Sequence, residues 1–307
     1  MSDTTILVQG PIHPNCMVNI FNYLRYGNVV LSIWDNTPKF IENSKLLNPS
    51  KDIGKYVENF LNFYKPNQNN SIQIVLNKSI TLKELHEKKI YNFFNCYLQF
   101  YTTVSGLDSI NTKYTIKVRS DEYYTDLSPI IERMKKSSEK KIITTNTFFR
   151  KTPSFPWHPS DHVIAGTTDN LKNIFKNCKD FCENGGFFKE EYAKRFIGKG
   201  QEKFEFDRIR VGNEVRFEGS TALPCPVPEI IIGTSNILLN SDIKIEHAKR
   251  KEIMKDFFDC VPASSLGWFV ISEKRKIEYR DFISHDTTEW SIGERHTSIL
   301  ESIEEIE

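Results

Sequence analysis

No stretch of the 307-residue chain approaches the roughly 20 consecutive apolar residues that a membrane-spanning helix needs. The opening residues, Met-Ser-Asp-Thr-Thr, lack the basic and apolar regions of a secretory signal. The expectation is a soluble, cytoplasmic protein. Net charge is nearly absent as well: 41 Lys and Arg against 40 Asp and Glu leave +1. That balance supplies no global attraction for nucleic acid or an anionic membrane surface, so neither is expected as a partner. Six scattered cysteines fit reduced thiols. Cys178 and Cys182 lie four apart, but no companion Cys/His pair completes a zinc-site spacing. Internal repeats and low-complexity segments are also missing, which excludes solenoid architectures.

What remains is a chain able to build a core, with 39% hydrophobic and 12% aromatic residues, so disorder is not expected. The length allows one large α/β domain, about 1–240, with an appended extension over 241–307. Residues 4–9 read as an apolar strand ending at Gln9-Gly10-Pro11, followed by a helix opening at His13-Pro14-Asn15 and a second strand, Val29 to Trp34. Connections this short make a right-handed βαβ unit with parallel strands. A helix over 51–64 and a strand over 71–76 follow, then a long aromatic helix over 82–104. Further strands are expected at 113–119, 141–146 and 161–165, and helices at 168–176 and 229–239. Residues 183–222 read as long loops with short helices, and 247–259 as an amphipathic segment.

The most informative stretch is Lys113 to Asp126, where the β-prone run Tyr114, Ile116, Val118 stops at Arg119-Ser120-Asp121-Glu122. Open parallel sheets place reactive groups at the carboxyl ends of their strands, so Asp121 should stand over a ligand crevice. A carboxylate there can hold a hard divalent cation, and such a cation can neutralise a nucleotide diphosphate. The plain alternative is a structural ion pair between Arg119 and Asp121. Lys117, Arg119 and Asp121 share a face by strand alternation, with Glu122 expected to face the other way.

Several ordered points resemble the WavE lipopolysaccharide-synthesis family of glycosyltransferases. They are Ile6 to Ile12, Val29 to Asp35, Asn95 to Gln99 leading into Ser105-Gly106-Leu107, Lys117 to Asp121, Pro159-Ser160-Asp161-His162 with Gly166, and Pro228-Glu229. The resemblance spans roughly residues 5 to 240 and implies a GT-A-type, Rossmann-like, mostly parallel sheet flanked by helices, with a helical C-terminal extension. It also implies a nucleotide-sugar donor, a glycan or lipopolysaccharide-type acceptor, and Mn²⁺ or Mg²⁺ bound at an Asp-X-Asp-type motif. Here that motif departs from the pattern, because position 119 is Arg.

On this reading Gln9, Gly10, Asp35, Asn95, Gln99, Lys117, Arg119 and Asp121 bind the nucleotide sugar. Gly10 allows close backbone approach, and Gln9 offers an amide to a base or ribose. Asp35 serves equally well as a turn residue, and Asn95 with Gln99 as the polar edge of a buried helix. Trp157 and His162 form an acceptor or sugar wall beside Asp161. Glu229 or Asp161 is the carboxylate base that activates an acceptor hydroxyl; otherwise Glu229 only complements a helix dipole. Asp121 and, in the manner of late histidines in GT-A enzymes, His285 are the metal ligands. Two alternatives stay open. A sugar-phosphate nucleotidylyltransferase shares the sheet and carboxylates, although its cationic, Gly-rich phosphate loop after strand one is missing here. A catalytically inactive sugar- or nucleotide-binding module would keep the fold alone.

Overall fold

The structure, a computed structural model, describes residues 2–12, 20–35, 70–92, 95–145, 159–186, 206–211, 214–219, 227–240, 255–267 and 269–270, with helical residues at 55, 57, 59 and 61. Its centre is a seven-stranded mixed sheet. The strands are β1 (Thr4–Gly10), β2 (Asn28–Trp34), β3 (Ile72–Asn77), β4 (Tyr114–Arg119), β6 (Ile142–Thr145), β7 (Val163–Thr167) and β10 (Phe258–Val261). Their spatial order is β10-β6-β7-β4-β1-β2-β3. β1 pairs in parallel with both β2 and β4, with Gln9 opposite Arg119 and Gly10 opposite Ile33. β7 alone runs against its neighbours, antiparallel to both β4 and β6. The expected parallel β1–β2 unit and mostly parallel α/β sheet are thus observed.

Period-two alternation sends side chains of each central strand to opposite faces. Leu7 and Val30 join one apolar cluster, while Ile6, Val8, Val29 and Leu31 join the other. The first cluster is covered by α2 (Cys96–Asp108), α4 (Thr168–Glu183) and α5 (Val227–Asn240). The second is covered by α3 (Ser128–Lys136), with Ile20, Tyr23, Leu24 and Val57. Three layers result, with the sheet buried between helices.

α2 lies unusually close to the sheet. A Cβ at Gly106 would stand 2.8 Å from the Ser32 Cβ and closer still to Leu7 Cδ1, so only glycine permits this approach. Polar bonds fix the same contact: Ser32 donates to the Thr102 carbonyl at 2.6 Å, and buried Asn77 donates to Ser32 Oγ and the Ile33 carbonyl at 3.0 Å each.

Four expectations need correction. The long helix over 82–104 is two helices, α1 (Leu82–Glu87) and α2, because Lys89 and Asn95 take left-handed φ of 54° and 59°. Asparagine tolerates that region better than most residues, and Tyr91, clasped by its amide to the Cys182 carbonyl at 2.9 Å, turns inward between them. The helix after β7 runs to Glu183 rather than 176, because Cys178, Phe181 and Cys182 continue its apolar stripe. Within 183–222, expected as loops and short helices, β8 (Phe206–Val211) and β9 (Glu214–Gly219) pair antiparallel. The alternation Arg208-Ile209-Arg210-Val211 ahead of a Gly-Asn pair is a hairpin signal. Finally, the 247–259 segment is helical only at 255–257 among its described residues before it becomes β10. The C-terminal part therefore supplies an edge strand to the main sheet, pairing in parallel with β6. It also supplies β11 (Phe269–Val270), which pairs with β5 (Tyr123–Tyr124).

Candidate functional site

Because β1, β2 and β4 are parallel, Gly10, Trp34 and Arg119 end on one rim of the sheet. β7 runs the other way, so Asp161 and His162, which precede its first residue, reach that same rim beside Arg119. The antiparallel strand of the seven-stranded sheet thus joins two sequence-distant motifs.

Gly10 has φ of 130°, a conformation side chains avoid, and a Cβ there would stand 2.6 Å from Ser120 Oγ. Ser120 donates from its amide to the Gln9 carbonyl at 2.9 Å and from its hydroxyl to the Pro11 carbonyl at 2.5 Å. The turns after β1 and β4 are therefore locked together. The buried Gln9 side chain donates to Thr102 Oγ1 of α2 at 2.7 Å. Three residues earlier on α2, Gln99 donates to Asp161 Oδ2 at 2.8 Å.

Arg119 is the hub of the rim. Its Nε and Nη2 grip the two Asp121 oxygens at 3.0 and 3.1 Å, a bidentate pair. Nε also lies 3.3 Å from Glu122 Oε1, and Nη1 lies 3.8 Å from Asp161 Oδ2. Lys117, wholly buried, donates to the Asp161 carbonyl at 2.6 Å. Glu122, expected to face away, is instead buried in this cluster, because the turn at Ser120-Asp121 ends strand alternation. Its Oε1 pairs closely with His162 Nδ1, and its Oε2 accepts from the Tyr124 hydroxyl at 2.8 Å. Glu122 and Tyr124 are the members that sequence reasoning missed. The only signal available was acidic Glu122 directly beside Asp121.

Two cations thus face three carboxylates. Burial opposes the Arg119 charge, but Glu122, Asp161 and Asp121 outweigh it and hold the guanidinium well above its ordinary value. Burial would raise the Asp161 carboxyl, yet His162, Lys117, Arg119 and the Gln99 hydrogen bond bring it far below the usual carboxylate range. Asp121 is lowered too, burial being overcome mainly by Arg119. Burial pulls the Lys117 ammonium down, and burial together with Glu122 pushes the Tyr124 phenol up.

The structure brings Gln9, Gln99, Lys117, Arg119, Asp121, Asp161 and His162 to one place. Asp35 is engaged elsewhere, accepting from the Ser79 amide at 2.8 Å and the Ser79 hydroxyl at 2.6 Å beyond β3. Asn95, exposed and left-handed at the start of α2, is 3.5 Å from the Asn92 amide. Glu229 sits half-buried in the first turn of α5. Trp157 and His285 lie outside the described residues.

The donor set here does not fit a divalent cation. Both Asp121 oxygens are engaged by Arg119, and Glu122 is taken by Arg119, His162 and Tyr124. Among the described residues no group of three or more His, Cys, Asp and Glu is disposed to hold a metal ion. No helix of the described residues is long and apolar enough to cross a membrane.

No curated protein matches the chain. Two solved structures are similar to part of it: HddC from Yersinia pseudotuberculosis and the same protein complexed with GMP-PN. The first is 8% identical, covers 55% of this chain and 78% of its own, and has a TM-score of 0.34. The second is 10% identical, covers 56% and 80%, and has a TM-score of 0.33. Likenesses this slight say nothing of what the chain does. The family match lies in the middle of the span that the ordered motifs marked, leaving the β1 and β2 motifs and Pro228-Glu229 outside it. Residues 81–213, which carry α2, β4, the Arg119 cluster and β7, match the family described as WavE lipopolysaccharide synthesis.

Proposed function

We propose that the protein is a glycosyltransferase that moves a sugar from a nucleotide-sugar donor to a hydroxyl of a glycan or lipopolysaccharide-type acceptor. The observation that carries this reading is the convergence of Gln9, Gln99, Arg119, Asp121 and Asp161 on the carboxyl rim between β1 and β4, the usual ligand position in open α/β sheets. The match of residues 81–213 to WavE lipopolysaccharide synthesis supports the sugar chemistry. The donor nucleotide lies over the ends of β1 and β4, where Gly10 lets its backbone approach. The Arg119 cluster holds the strand-end turn rigid, and Gln99 sets the Asp161 carboxylate.

Transfer needs a base for the acceptor hydroxyl. Asp161 is the weaker candidate, because its neighbours hold it far into the ionised range and it accepts protons poorly near neutrality. Glu229, at the start of α5, takes that role in this reading. The first test is a screen of nucleoside diphosphates and nucleotide sugars by calorimetry, with slow donor hydrolysis followed in parallel. Binding of one nucleoside class with hydrolysis of its sugar derivative is expected. Pyrophosphate release from a nucleoside triphosphate and a sugar phosphate would instead indicate nucleotidyl transfer. Absence of any nucleotide binding would refute both.

A further inference from the structure

We infer that the cation at the end of β4 is the Arg119 guanidinium and that Asp121, Glu122 and Asp161 do not form a divalent-metal site. The fold brings three carboxylates and a histidine within reach of one another, a composition that suits a hard metal ion. The fold then fills the middle of that group with a guanidinium. Its planar fork matches the Asp121 carboxylate, with Nε and Nη2 at 3.0 and 3.1 Å from the two oxygens. Its remaining reach covers Glu122 Oε1 at 3.3 Å and Asp161 Oδ2 at 3.8 Å.

A metal would have to displace these donors. Asp161 Oδ2 already accepts from Gln99, and Glu122 accepts from Tyr124 and pairs with His162. It would also sit beside a guanidinium that cannot lose its proton to relieve the repulsion. The second cation, Lys117, is anchored beneath at the Asp161 carbonyl. Strand spacing shows why: position 119 is where an Asp-X-Asp pattern would put its first carboxylate, and Arg there supplies the positive charge that the pattern otherwise recruits from solution. The inference deepens the proposed function by making the rim's own chemistry metal-independent.

The test measures Mn²⁺ alone by electron paramagnetic resonance, on the full chain and on the Asp121→Asn and Arg119→Gln variants. The wild type is expected to bind Mn²⁺ no more tightly than about 1 mM, with no change in Asp121→Asn. Arg119→Gln, which leaves the three carboxylates without their guanidinium, is expected to gain at least about tenfold in Mn²⁺ affinity. Should that variant fail to fold, the wild type and Asp121→Asn decide the matter by themselves. Tight Mn²⁺ binding to the wild type that disappears in Asp121→Asn overturns the inference. A parallel calorimetric titration with UDP, GDP and CDP, in EDTA and in Mn²⁺, separates the two readings. Binding that survives EDTA supports the inference, and binding that needs Mn²⁺ and is lost in Asp121→Asn overturns it while leaving the transferase reading standing. If none of the three nucleotides binds, the wider nucleotide screen decides the transferase reading and the Mn²⁺ titration still decides the inference.

Discussion

Gly106→Ala tests a tight helix–sheet contact and the rim it supports. Two opposing effects can be weighed. Replacing glycine in a helix by alanine gains up to about 1 kcal/mol from backbone entropy, and less near a C-terminus such as this one, where α2 ends two residues later. Against this, the new methyl group meets Ser32 Cβ at 2.8 Å and Leu7 Cδ1 closer still. Leu7 on β1 and Ser32 on β2 are fully buried, so neither can swing aside into solvent. Forcing a methyl into such packing costs typically about 1–3 kcal/mol. The steric cost wins because two buried neighbours resist the methyl at once, and the net expectation is a loss of about 1–2 kcal/mol. Pushing α2 outward also lengthens the Ser32–Thr102, Gln9–Thr102 and Gln99–Asp161 bonds, and ligand affinity at the rim should fall with stability. Urea denaturation with a two-state fit measures the first effect and nucleotide titration the second. A variant more stable than the wild type would refute the reasoning, because helix propensity would then outweigh a contact looser than these distances imply.

Other consequences follow from the same rim. Glu122→Ala removes the buried carboxylate shared by Arg119, His162 and Tyr124 and should cost about 3–5 kcal/mol, whereas Tyr124→Phe should cost about 1.5–3 kcal/mol; denaturation midpoints that barely move would show the cluster to be loosely held. Asp161 has a folded-state carboxyl well below its unfolded value of about 3.9, so its stabilisation is complete above about pH 4 and is lost as pH falls further through the folded-state value. Wild-type stability should therefore decline more steeply below pH 4 than that of Asp161→Asn, and equal slopes would contradict the assignment. Glu229→Gln should slow transfer by roughly 10²–10⁴-fold with donor affinity retained; a change below about tenfold moves the base elsewhere.

The sequence by itself determined the local elements whose pattern is written in neighbouring residues. Apolar runs specified β1, β2 and β4, and the short connection between the first two made them parallel. The abrupt stop at Arg119-Ser120-Asp121-Glu122 marked the strand end that became the rim, and Pro159 to His162 marked its distant partner. Gln99 and Lys117 were legible as polar residues interrupting apolar surroundings, and the structure joins both to Asp161. Other features depended on contacts between segments far apart in the chain. The break between α1 and α2 arises because Tyr91 is captured by the Cys182 carbonyl, an event that no helical period records. β10 becomes a strand because an open edge at β6 receives Phe258, Cys260 and Val261. Glu122 looked outward by alternation, yet the turn carries it into the core, where Arg119, His162 and Tyr124 compensate its burial. Spacing showed a carboxylate at a strand end, but whether it meets a metal ion or a guanidinium is decided by three-dimensional charge balance. That balance is set by β7, whose reversed direction delivers His162 to Glu122, 40 residues earlier in the chain, and Asp161 to Arg119.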